Sequence, residues 1–191
     1  MNAAVSLDGY IAYDDNLPGP LFDYYENGDV PFSFDDEDRP FRVTQETADF
    51  LREMAGDCGA VIMGRVLFDF TNGWNGVPAA GDHVFVVTHE TPTDWEYLGT
   101  APFTFCHSVR DAVEAARAHS GDRDVAINAG DVGAQALREG LVDQVVLNLV
   151  PVVLGSGKPF FGTGTSEVRL ENPSRVVQGD RVTHLLYDVS R

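Results

Sequence analysis

Three short apolar runs constrain the fold of this chain more than any other feature. They lie at residues 60–63, 84–88 and 125–128. Runs of four or five residues that are rich in valine and isoleucine are typical of buried β-strands and too short for helices. Around them, apolar residues recur at helical spacing over 44–54, 108–119 and 132–139. Strands that alternate with helices predict an α/β domain.

Capping residues mark the ends of the helical patterns. Thr44 and Ser108 stand where the two longer patterns begin, and hydroxyl side chains at that position accept hydrogen bonds from the first turn of a helix. Gly140 follows the third pattern and predicts its end, because glycine tolerates the positive φ of a helix C-terminus.

Strand patterns dominate both ends of the chain. Residues 144–154, 168–170, 175–178 and 182–189 are predicted strands, and Gly179-Asp180 predicts that the last two form an antiparallel hairpin. Near the N-terminus, residues 3–5 and 10–12 are predicted strands that flank a turn at Leu7-Asp8-Gly9.

The segment between residues 13 and 41 interrupts this order. It holds many acidic residues, several aromatic residues and four prolines. Long segments without periodicity inside a compact domain are usually functional or mobile. We interpret it as an irregular acidic loop inserted into one domain that spans residues 1–191, because no linker or internal repeat divides the chain.

Charge and cysteine content narrow the classes of function. The net charge is −17, and Lys158 is the only lysine. A surface this negative repels phosphate backbones, so no nucleic-acid partner is expected. The N-terminus lacks the features of a secretory signal, and no apolar run reaches the roughly 20 residues of a membrane helix. We expect a soluble cytoplasmic protein in which Cys58 and Cys106 are reduced core residues.

Four segments carry residues that suit a binding or catalytic site. The first two lie at turns: one holds the carboxylate of Asp8, and the other holds Arg65. Asp8 lies in an Asp-Gly turn, where it is either a catalytic carboxylate or a turn-forming side chain bonded to its own backbone. Gly64-Arg65 follows the strand at 60–63, where backbone N–H groups and a guanidinium suit an anion. A surface salt bridge explains Arg65 equally well.

The other two segments follow the next two strands. Thr88-His89 ends the strand at 84–88, at the position where open α/β sheets bind ligands, although a capping residue and a surface histidine fit the same pattern. Residues 128–133 join a strand to a helix through small residues, and a helix N-terminus there favours a pyrophosphate. We expect Asp131 to cap that helix rather than to face a phosphate.

Two motif-like features are interpreted structurally. The stretch from Leu154 to Lys158 lacks the spacing of a phosphate-binding loop, so a glycine-rich turn is predicted. The five histidines show no spacing typical of metal ligands, and no metal is predicted.

In their order along the chain, these segments resemble a known family. The sequence SLDGYIA at 6–12, AVIMGR at 60–65, VVTH at 86–89, the turn at 128–133 and GLVDQVVLNLVPVVLGSGKPFF at 140–161 are similar to the reductase domain of bifunctional riboflavin biosynthesis deaminase–reductases. That domain is itself similar to dihydrofolate reductase. The resemblance covers most of the chain outside residues 13–41.

The resemblance implies a fold, a cofactor and a set of binding residues. The fold would be a dihydrofolate-reductase-like three-layer α/β sandwich, with a mixed, mostly parallel sheet and helices on both faces. NADPH would be the hydride donor, the substrate a small molecule and the assembly a homodimer. Matching positions place Ala4, Ile11 and Ala12 near the nicotinamide, Gly64 and Arg65 at the phosphates, Thr88 and His89 at the adenosine 2′-phosphate, and Ala129, Gly130, Asp131, Val132 and Gly133 at the pyrophosphate.

The chain also departs from the family pattern. Dihydrofolate reductases carry a carboxylate on the first helix, but the matching position here falls near Thr47, with Glu46 and Asp49 on other faces. Asp8, Glu46 and Asp49 are therefore the candidate catalytic carboxylates, and dihydrofolate is disfavoured as substrate. Ala129 replaces the first of two usual glycines. For a ribose phosphate, the 13–41 segment offers only Arg39.

Three hypotheses follow from these observations. The first is an NADPH-dependent reductase that acts on a C=N or C=O carbon, similar to 5-amino-6-(5-phosphoribosylamino)uracil reductase. The second is a reductase of another small heterocycle or carbonyl compound, since a fold does not fix a substrate. The third is a non-catalytic NADPH-binding sensor domain.

Overall fold

The computed structural model describes residues 1–34, 40–164 and 167–190. Its strands are β1 (Asn2–Ser6), β2 (Tyr10–Ala12), β3 (Val30–Phe32), β4 (Phe41–Val43), β5 (Cys58–Gly64), β6 (His83–Val87), β7 (Phe103–Cys106), β8 (Asp124–Ile127), β9 (Gln144–Val150), β10 (Lys158–Pro159), β11 (Arg175–Gly179) and β12 (Val182–Asp188). Its α-helices are α1 (Gln45–Ala55), α2 (Arg65–Thr71), α3 (Val109–Ser120) and α4 (Asp131–Arg138). A 3₁₀ helix spans Gly19–Glu26, and Asn72–Gly76 forms a left-handed turn in which Gly73, Trp74 and Asn75 have φ of 57°, 48° and 56°.

Two four-stranded sheets form the centre of the molecule. One has the order β7-β6-β5-β8, and all its neighbours are parallel. The other has the order β1-β9-β12-β11, in which β1 and β9 are parallel and the remaining pairs antiparallel. A parallel bridge between Asn2 and Asn128 joins them, so the strands make one mixed sheet. This confirms the predicted fold class and the C-terminal hairpin.

Helices cover both faces of this sheet. Val145 and Val146 are consecutive on β9, so their side chains point to opposite faces. Val145 belongs to the core cluster that contains the apolar side of α3, whereas Val146 packs with Phe50 and Leu51 of α1. The molecule is therefore a three-layer sandwich with α1 on one side and α3 and α4 on the other.

The predicted caps begin the two longer helices. Thr44 Oγ1 accepts a hydrogen bond from Thr47 N at 3.4 Å, and Ser108 Oγ accepts one from Asp111 N at 3.1 Å. These contacts satisfy N–H groups that have no partner inside their helices. The starts of these two helices could therefore be predicted from the hydroxyl residues that precede each helical pattern of apolar residues.

Several predicted elements differ from the observed ones. Residues 168–170 form no strand, and Val168 is exposed. The strand from Gln144 ends at Val150 rather than at residue 154, because Pro151 cannot donate to a ladder. The edge strand β7 was not predicted, because its four residues, Phe-Thr-Phe-Cys, form a less apolar run than the buried strands β5 and β6.

The 13–41 segment is more regular than the predicted loop. It holds the 3₁₀ helix Gly19–Glu26 and strand β3, which pairs with β4. Leu21 and Tyr24 of that helix are buried against Ala4 and Val150. The described part of this segment therefore closes one face of the sheet, while Arg39 lies outside the described residues.

The predicted N-terminal turn is present, but its flanking strands do not pair with each other. Gly9 N donates to Ser6 O at 3.0 Å, which closes the turn. Strand β1 pairs with β9, and β2 pairs with β10. Within the part of the chain that the structure describes, no helix is long and apolar enough to cross a membrane.

Candidate functional site

The carboxyl ends of three parallel strands meet at one edge of the sheet. Gly64 at the end of β5 is in register with Val87 of β6, and Ile62 of β5 with Ile127 of β8. The residues that follow these strands therefore lie side by side, at the edge where open α/β sheets bind ligands. Three predicted segments begin here: Gly64-Arg65, Thr88-His89 and the turn at 128–133.

Arg65 spans the ends of β5 and β6. Its Nη1 donates to Thr88 Oγ1 at 3.3 Å and to Glu90 O at 2.9 Å, and its Nε donates to Asp69 Oδ1 at 2.7 Å. The buried Thr88 hydroxyl in turn donates to Glu90 O at 2.8 Å. Arg65 and Thr88 are thus brought together, next to the exposed His89.

Glycine residues let the turn after β8 approach its neighbours closely. Gly130 has φ 95° and ψ −158°, a conformation that is essentially restricted to glycine. A Cβ at Gly130 would lie 3.4 Å from Ile11 Cδ1, and one at Gly64 would lie 3.0 Å from Val132 Cγ2. A continuous surface therefore runs from Arg65 over Gly64 and Val132 to Gly130 and Ile11.

Asp131 does not cap α4 as predicted. Gly130 occupies the capping position, and Asp131 is the first helical residue. Its Oδ1 accepts from Thr163 N at 2.8 Å and from Thr163 Oγ1 at 3.1 Å. The carboxylate is therefore held by the loop after β10.

One groove connects the predicted binding residues. Its lining includes Ala4, Ile11, Ala12, Gly64, Arg65, Thr88, His89, Ala129, Gly130, Asp131 and Val132. Gly133 is not part of this lining: it is buried, and a Cβ there would lie 2.6 Å from Asn128 O. The cavity to which these residues belong has a volume of about 1970 Å³ and also reaches Cys58, Asp124 and Gln144 at the first residues of β5, β8 and β9, so only part of this volume lies at the carboxyl edge.

The far half of the groove has an aromatic wall, formed by Phe22, Tyr25, Phe34, Phe41 and Phe50. Tyr25 packs on Phe41 with ring centroids 4.6 Å apart and meets Phe34 edge to face at 6.3 Å. Tyr25 is covered by Tyr24 at 4.2 Å as well as by Phe41, and Phe50 is only 1% exposed. The rings that an apolar, planar molecule could contact are therefore those of Phe22, Phe34 and Phe41.

A buried polar network lies behind this wall. His184 on β12 is fully buried, and its Nε2 lies 3.1 Å from Thr47 Oγ1 of α1. Its Nδ1 lies 2.7 Å from Asn148 Oδ1 of β9, and Asn148 lines the groove. Burial lowers the pKa of His184 to about 4, so the imidazole is neutral at physiological pH.

Sequence reasoning missed this network. The five histidines, His184 among them, were considered only as metal ligands, and Asn148 was not singled out. Two signals could have revealed it: each polar residue occupies an inward position of an alternating strand, and buried polar side chains need partners. Within the described residues, no group of three or more histidine, cysteine, aspartate or glutamate side chains could hold a metal ion.

The predicted catalytic carboxylate Asp8 lies outside the groove lining. Its Oδ1 accepts from Ser6 Oγ at 2.5 Å and Leu154 N at 3.1 Å, and its Oδ2 accepts from Gly155 N at 2.7 Å. The Ser6 hydroxyl, and then these two N–H groups, lower the pKa of Asp8. The geometry is that of a side chain that ties the N-terminal turn to the loop after β9.

Glu46 and Asp49 lie on the exposed side of α1. Asp49 Oδ1 accepts from Gln45 Nε2 at 2.7 Å and from Arg52 Nη1 at 3.4 Å. The inward position between them belongs to Thr47, which is buried. The placement of these two carboxylates offers no route to a substrate in the groove.

The stretch from Leu154 to Lys158 is the glycine-rich turn that was predicted. Gly155 has φ 83° and its N–H binds Asp8. A Cβ at Gly157, where φ is 148°, would lie 2.0 Å from Ala12 O. Glycine is required there because the loop packs directly on the backbone of β2.

Together, this fold and groove define a dihydrofolate-reductase-like α/β protein whose candidate site lies at the carboxyl ends of parallel strands. The model of the RibD C-terminal domain family matches residues 1–183. The chain belongs to this family, which contains the reductase domains of riboflavin biosynthesis deaminase–reductases. A comparison with curated protein sequences finds no significant match.

Solved structures show the same fold. A putative riboflavin biosynthesis protein from Shewanella sp. PV-4 aligns with a TM-score of 0.71 at 23% identity, over 100% of this chain and 97% of that one. A pyrimidine reductase-like protein from Corynebacterium diphtheriae aligns with a TM-score of 0.67 at 15% identity, over 100% and 90%.

A third similar structure is longer than this chain. It is the diaminohydroxyphosphoribosylaminopyrimidine deaminase/5-amino-6-(5-phosphoribosylamino)uracil reductase of Thermotoga maritima, with a TM-score of 0.65 at 14% identity. The alignment covers 99% of this chain and 55% of that protein, so this chain corresponds to about half of it.

Proposed function

We propose that this protein is an NADPH-dependent reductase that transfers hydride to a C=N or C=O carbon of a small heterocyclic molecule. Its leading substrate is the one named for the Thermotoga maritima relative, 5-amino-6-(5-phosphoribosylamino)uracil. The observation that carries the proposal is the unbroken surface from Thr88 and Arg65 over Gly64 to Val132, Gly130 and Ile11.

The residues of this surface fit a dinucleotide. The N-terminal N–H groups of α4 lack partners within the helix and attract a pyrophosphate. Asn128 Oδ1 is buried at the groove and has no hydrogen-bond partner among the described residues, which suits a carboxamide N–H. The absence of side chains at Gly64 and Gly130 lets their backbones pack against Val132 and Ile11, which brings the ends of the strands close to the start of α4.

The local charge also fits NADPH. The molecule as a whole carries −17, so an anionic cofactor needs a local cation. Arg65 is the cation at this edge, and it forms a surface ion pair with Asp69 and a hydrogen bond to Thr88, so a bound 2′-phosphate has to replace the Asp69 carboxylate. A 2′-phosphate at this position would take over the hydrogen bonds of Arg65 and approach His89, which favours NADPH over NADH.

The protein would contribute to the reaction mainly by orienting NADPH and the substrate relative to each other. When bound, NADPH supplies the hydride. Ile11 of β2 lies beside Gly130, and Ala4 of β1 pairs with Asn148 in the strand register, so β1 and β2 lie between the turn after β8 and Asn148. Small and apolar side chains at this junction allow close approach of two ring systems and exclude water.

A second candidate is a reductase of a heterocycle without a phosphate. Arg42 and Arg52 flank the aromatic half, but Arg42 Nη2 donates to Asp29 O at 2.9 Å and Arg52 Nη2 to Pro31 O at 3.3 Å. Both side chains are engaged with backbone carbonyls, and the aromatic wall itself offers ring faces. These contacts favour an apolar, planar substrate in this half.

Cofactor binding and turnover test both candidates. We expect fluorescence titration to show submicromolar NADPH binding and weaker NADH binding. NADPH oxidation is then measured with 5-amino-6-(5-phosphoribosylamino)uracil, its dephosphorylated form and dihydrofolate. Faster turnover of the phosphorylated form supports the leading substrate, and faster turnover of the dephosphorylated form supports the second candidate. Failure to bind either nucleotide refutes the reductase, while binding without oxidation of any substrate indicates a sensor domain.

A further inference from the structure

Asn148 is a buried side chain whose amide nitrogen, Nδ2, has no hydrogen-bond partner among the described residues. It is only 7% exposed, and its Oδ1 contacts His184 Nδ1 at 2.7 Å. Across the register of the sheet it lies between Ala4 of β1 and His184 of β12. Buried amide groups cost free energy unless each finds a partner.

The direction of the hydrogen bonds in this network follows from the orientation of the Asn148 amide, whose Oδ1 faces His184. The pKa of His184 is lowered to about 4 by burial, so the neutral ring has one donor and one acceptor nitrogen. Asn148 Oδ1 is an acceptor, so Nδ1 of His184 donates to it and Nε2 accepts from the Thr47 hydroxyl at 3.1 Å. Thr47 Oγ1 in turn accepts from the Thr44 hydroxyl at 3.3 Å.

This direction leaves the amide nitrogen of Asn148 for the groove. Among the hydrogen bonds of the described residues, none uses Nδ2 of Asn148, and that nitrogen is not fully buried. Asn148 lines the groove together with Phe50, whose ring stacks on His184 at 4.5 Å and 19°. A hydrogen-bond donor is therefore held rigidly beside the aromatic wall.

We propose that Asn148 determines substrate specificity in the reductase proposed above: its Nδ2 donates to a carbonyl oxygen or acceptor nitrogen of a neutral heterocycle. His184 and Thr47 are positioning residues, because they fix which end of the amide faces the groove. If the ring carries an amino group at the contacted position, that amino group and Asn148 Nδ2 are both donors, and no hydrogen bond forms between them. A buried site that hydrogen-bonds one ring rejects such an analogue strongly.

Binding of three pyrimidine rings tests this inference. Uracil carries two ring carbonyls, whereas cytosine and isocytosine each replace one of them with an amino group. We expect the wild-type protein, saturated with NADP⁺, to bind uracil roughly 10- to 100-fold more tightly than one of the two amino analogues. Asn148→Asp presents an acceptor to the groove and keeps the acceptor for His184, so it should reverse that preference.

A pair of variants at Thr47 tests the positioning role. Thr47→Val removes the hydroxyl that fixes the His184 tautomer, and we expect the ring preference to shrink. Thr47→Ser restores the hydroxyl and should restore the preference, which a purely structural role would not require. If Asn148→Asp does not fold, this pair decides the question alone.

NADPH affinity separates this inference from the proposed function. An unchanged ring preference in Asn148→Asp, or in Thr47→Val when the former does not fold, overturns the role of Asn148. Failure of uracil to bind to wild-type protein that binds NADPH also overturns it and leaves the reductase intact. Failure to bind NADPH refutes the reductase itself.

Discussion

Protonation of His184 should make the stability of this protein depend on pH in the mildly acidic range. The imidazole is fully buried, and burial lowers its pKa from 6.5 to about 4. Below pH 6.5 the unfolded chain therefore binds a proton that the folded protein does not. The free energy of unfolding falls as the pH decreases through 6.5, and this loss levels off below about pH 4.

The magnitude follows from the two pKa values. With 6.5 for the unfolded chain and about 4 for the folded protein, linkage gives a loss of about 2 kcal/mol between pH 7 and pH 5. The full effect of the shift, reached near pH 4 and below, is about 3 kcal/mol. A loss of this size is a large fraction of the ~5–15 kcal/mol that stabilise a typical domain.

Urea unfolding at pH 7, 6 and 5 measures this effect. Other groups also titrate, including His83, whose pKa is lowered by burial and by His119. The relevant quantity is therefore the difference between the wild type and His184→Gln, which lacks the titrating ring. The wild type should lose about 2 kcal/mol more than the variant from pH 7 to pH 5.

A neighbouring substitution provides the control. Thr183→Ala alters the same strand without removing a titrating group, so it should keep the pH slope of the wild type. Parallel slopes for the wild type and His184→Gln would refute the reasoning, because they would mean that the folded protein accommodates a charged His184.

Three further predictions concern the groove and its supports. Arg65→Ala should raise the dissociation constant for NADPH by roughly 10- to 100-fold in fluorescence titration, whereas Arg110→Ala, which removes only a surface ion pair with Glu139, should leave it unchanged. Gly157→Ala should lower the free energy of unfolding by about 3 kcal/mol, because its Cβ would collide with Ala12 O; an unchanged urea midpoint would contradict this packing. Gly130→Ala should destabilise the fold by roughly 1–3 kcal/mol, since φ 95° strains any side chain; wild-type stability would show that the turn relaxes freely.

The sequence predicted the elements that depend on local patterns. Strands β5, β6 and β8 are short apolar runs, and α1 and α3 begin at hydroxyl caps, so periodicity and capping sufficed. The C-terminal hairpin followed from a Gly-Asp turn between alternating strands. These features are properties of neighbouring residues, and the structure confirms them.

Features that depend on distant contacts could not be predicted in the same way. The pairing of β2 with β10, and the contacts of Asp8 with the loop after β9, join residues nearly 150 positions apart. Asp131 resembled a helix cap, but Thr163 competes for its carboxylate. Side-chain partners of this kind are decided by tertiary structure, which local pattern does not contain.

In the candidate site, too, features set by local sequence were predicted and features set by distant contacts were not. The segments after β5, β6 and β8 were predicted because ligands bind at strand ends in α/β sheets. The Thr47–His184–Asn148 network was not, because its members come from three distant elements. The homodimer and the cytoplasmic location remain predictions, and light scattering of the purified protein would test the first.

A crystal structure of the protein with bound NADPH tests the central claim most directly. Our account predicts the 2′-phosphate beside Arg65 and Thr88, the pyrophosphate at the turn of Ala129 and Gly130, and the nicotinamide near Ala4. Electron density for the nucleotide at any other surface, or none at saturating NADPH, would contradict it.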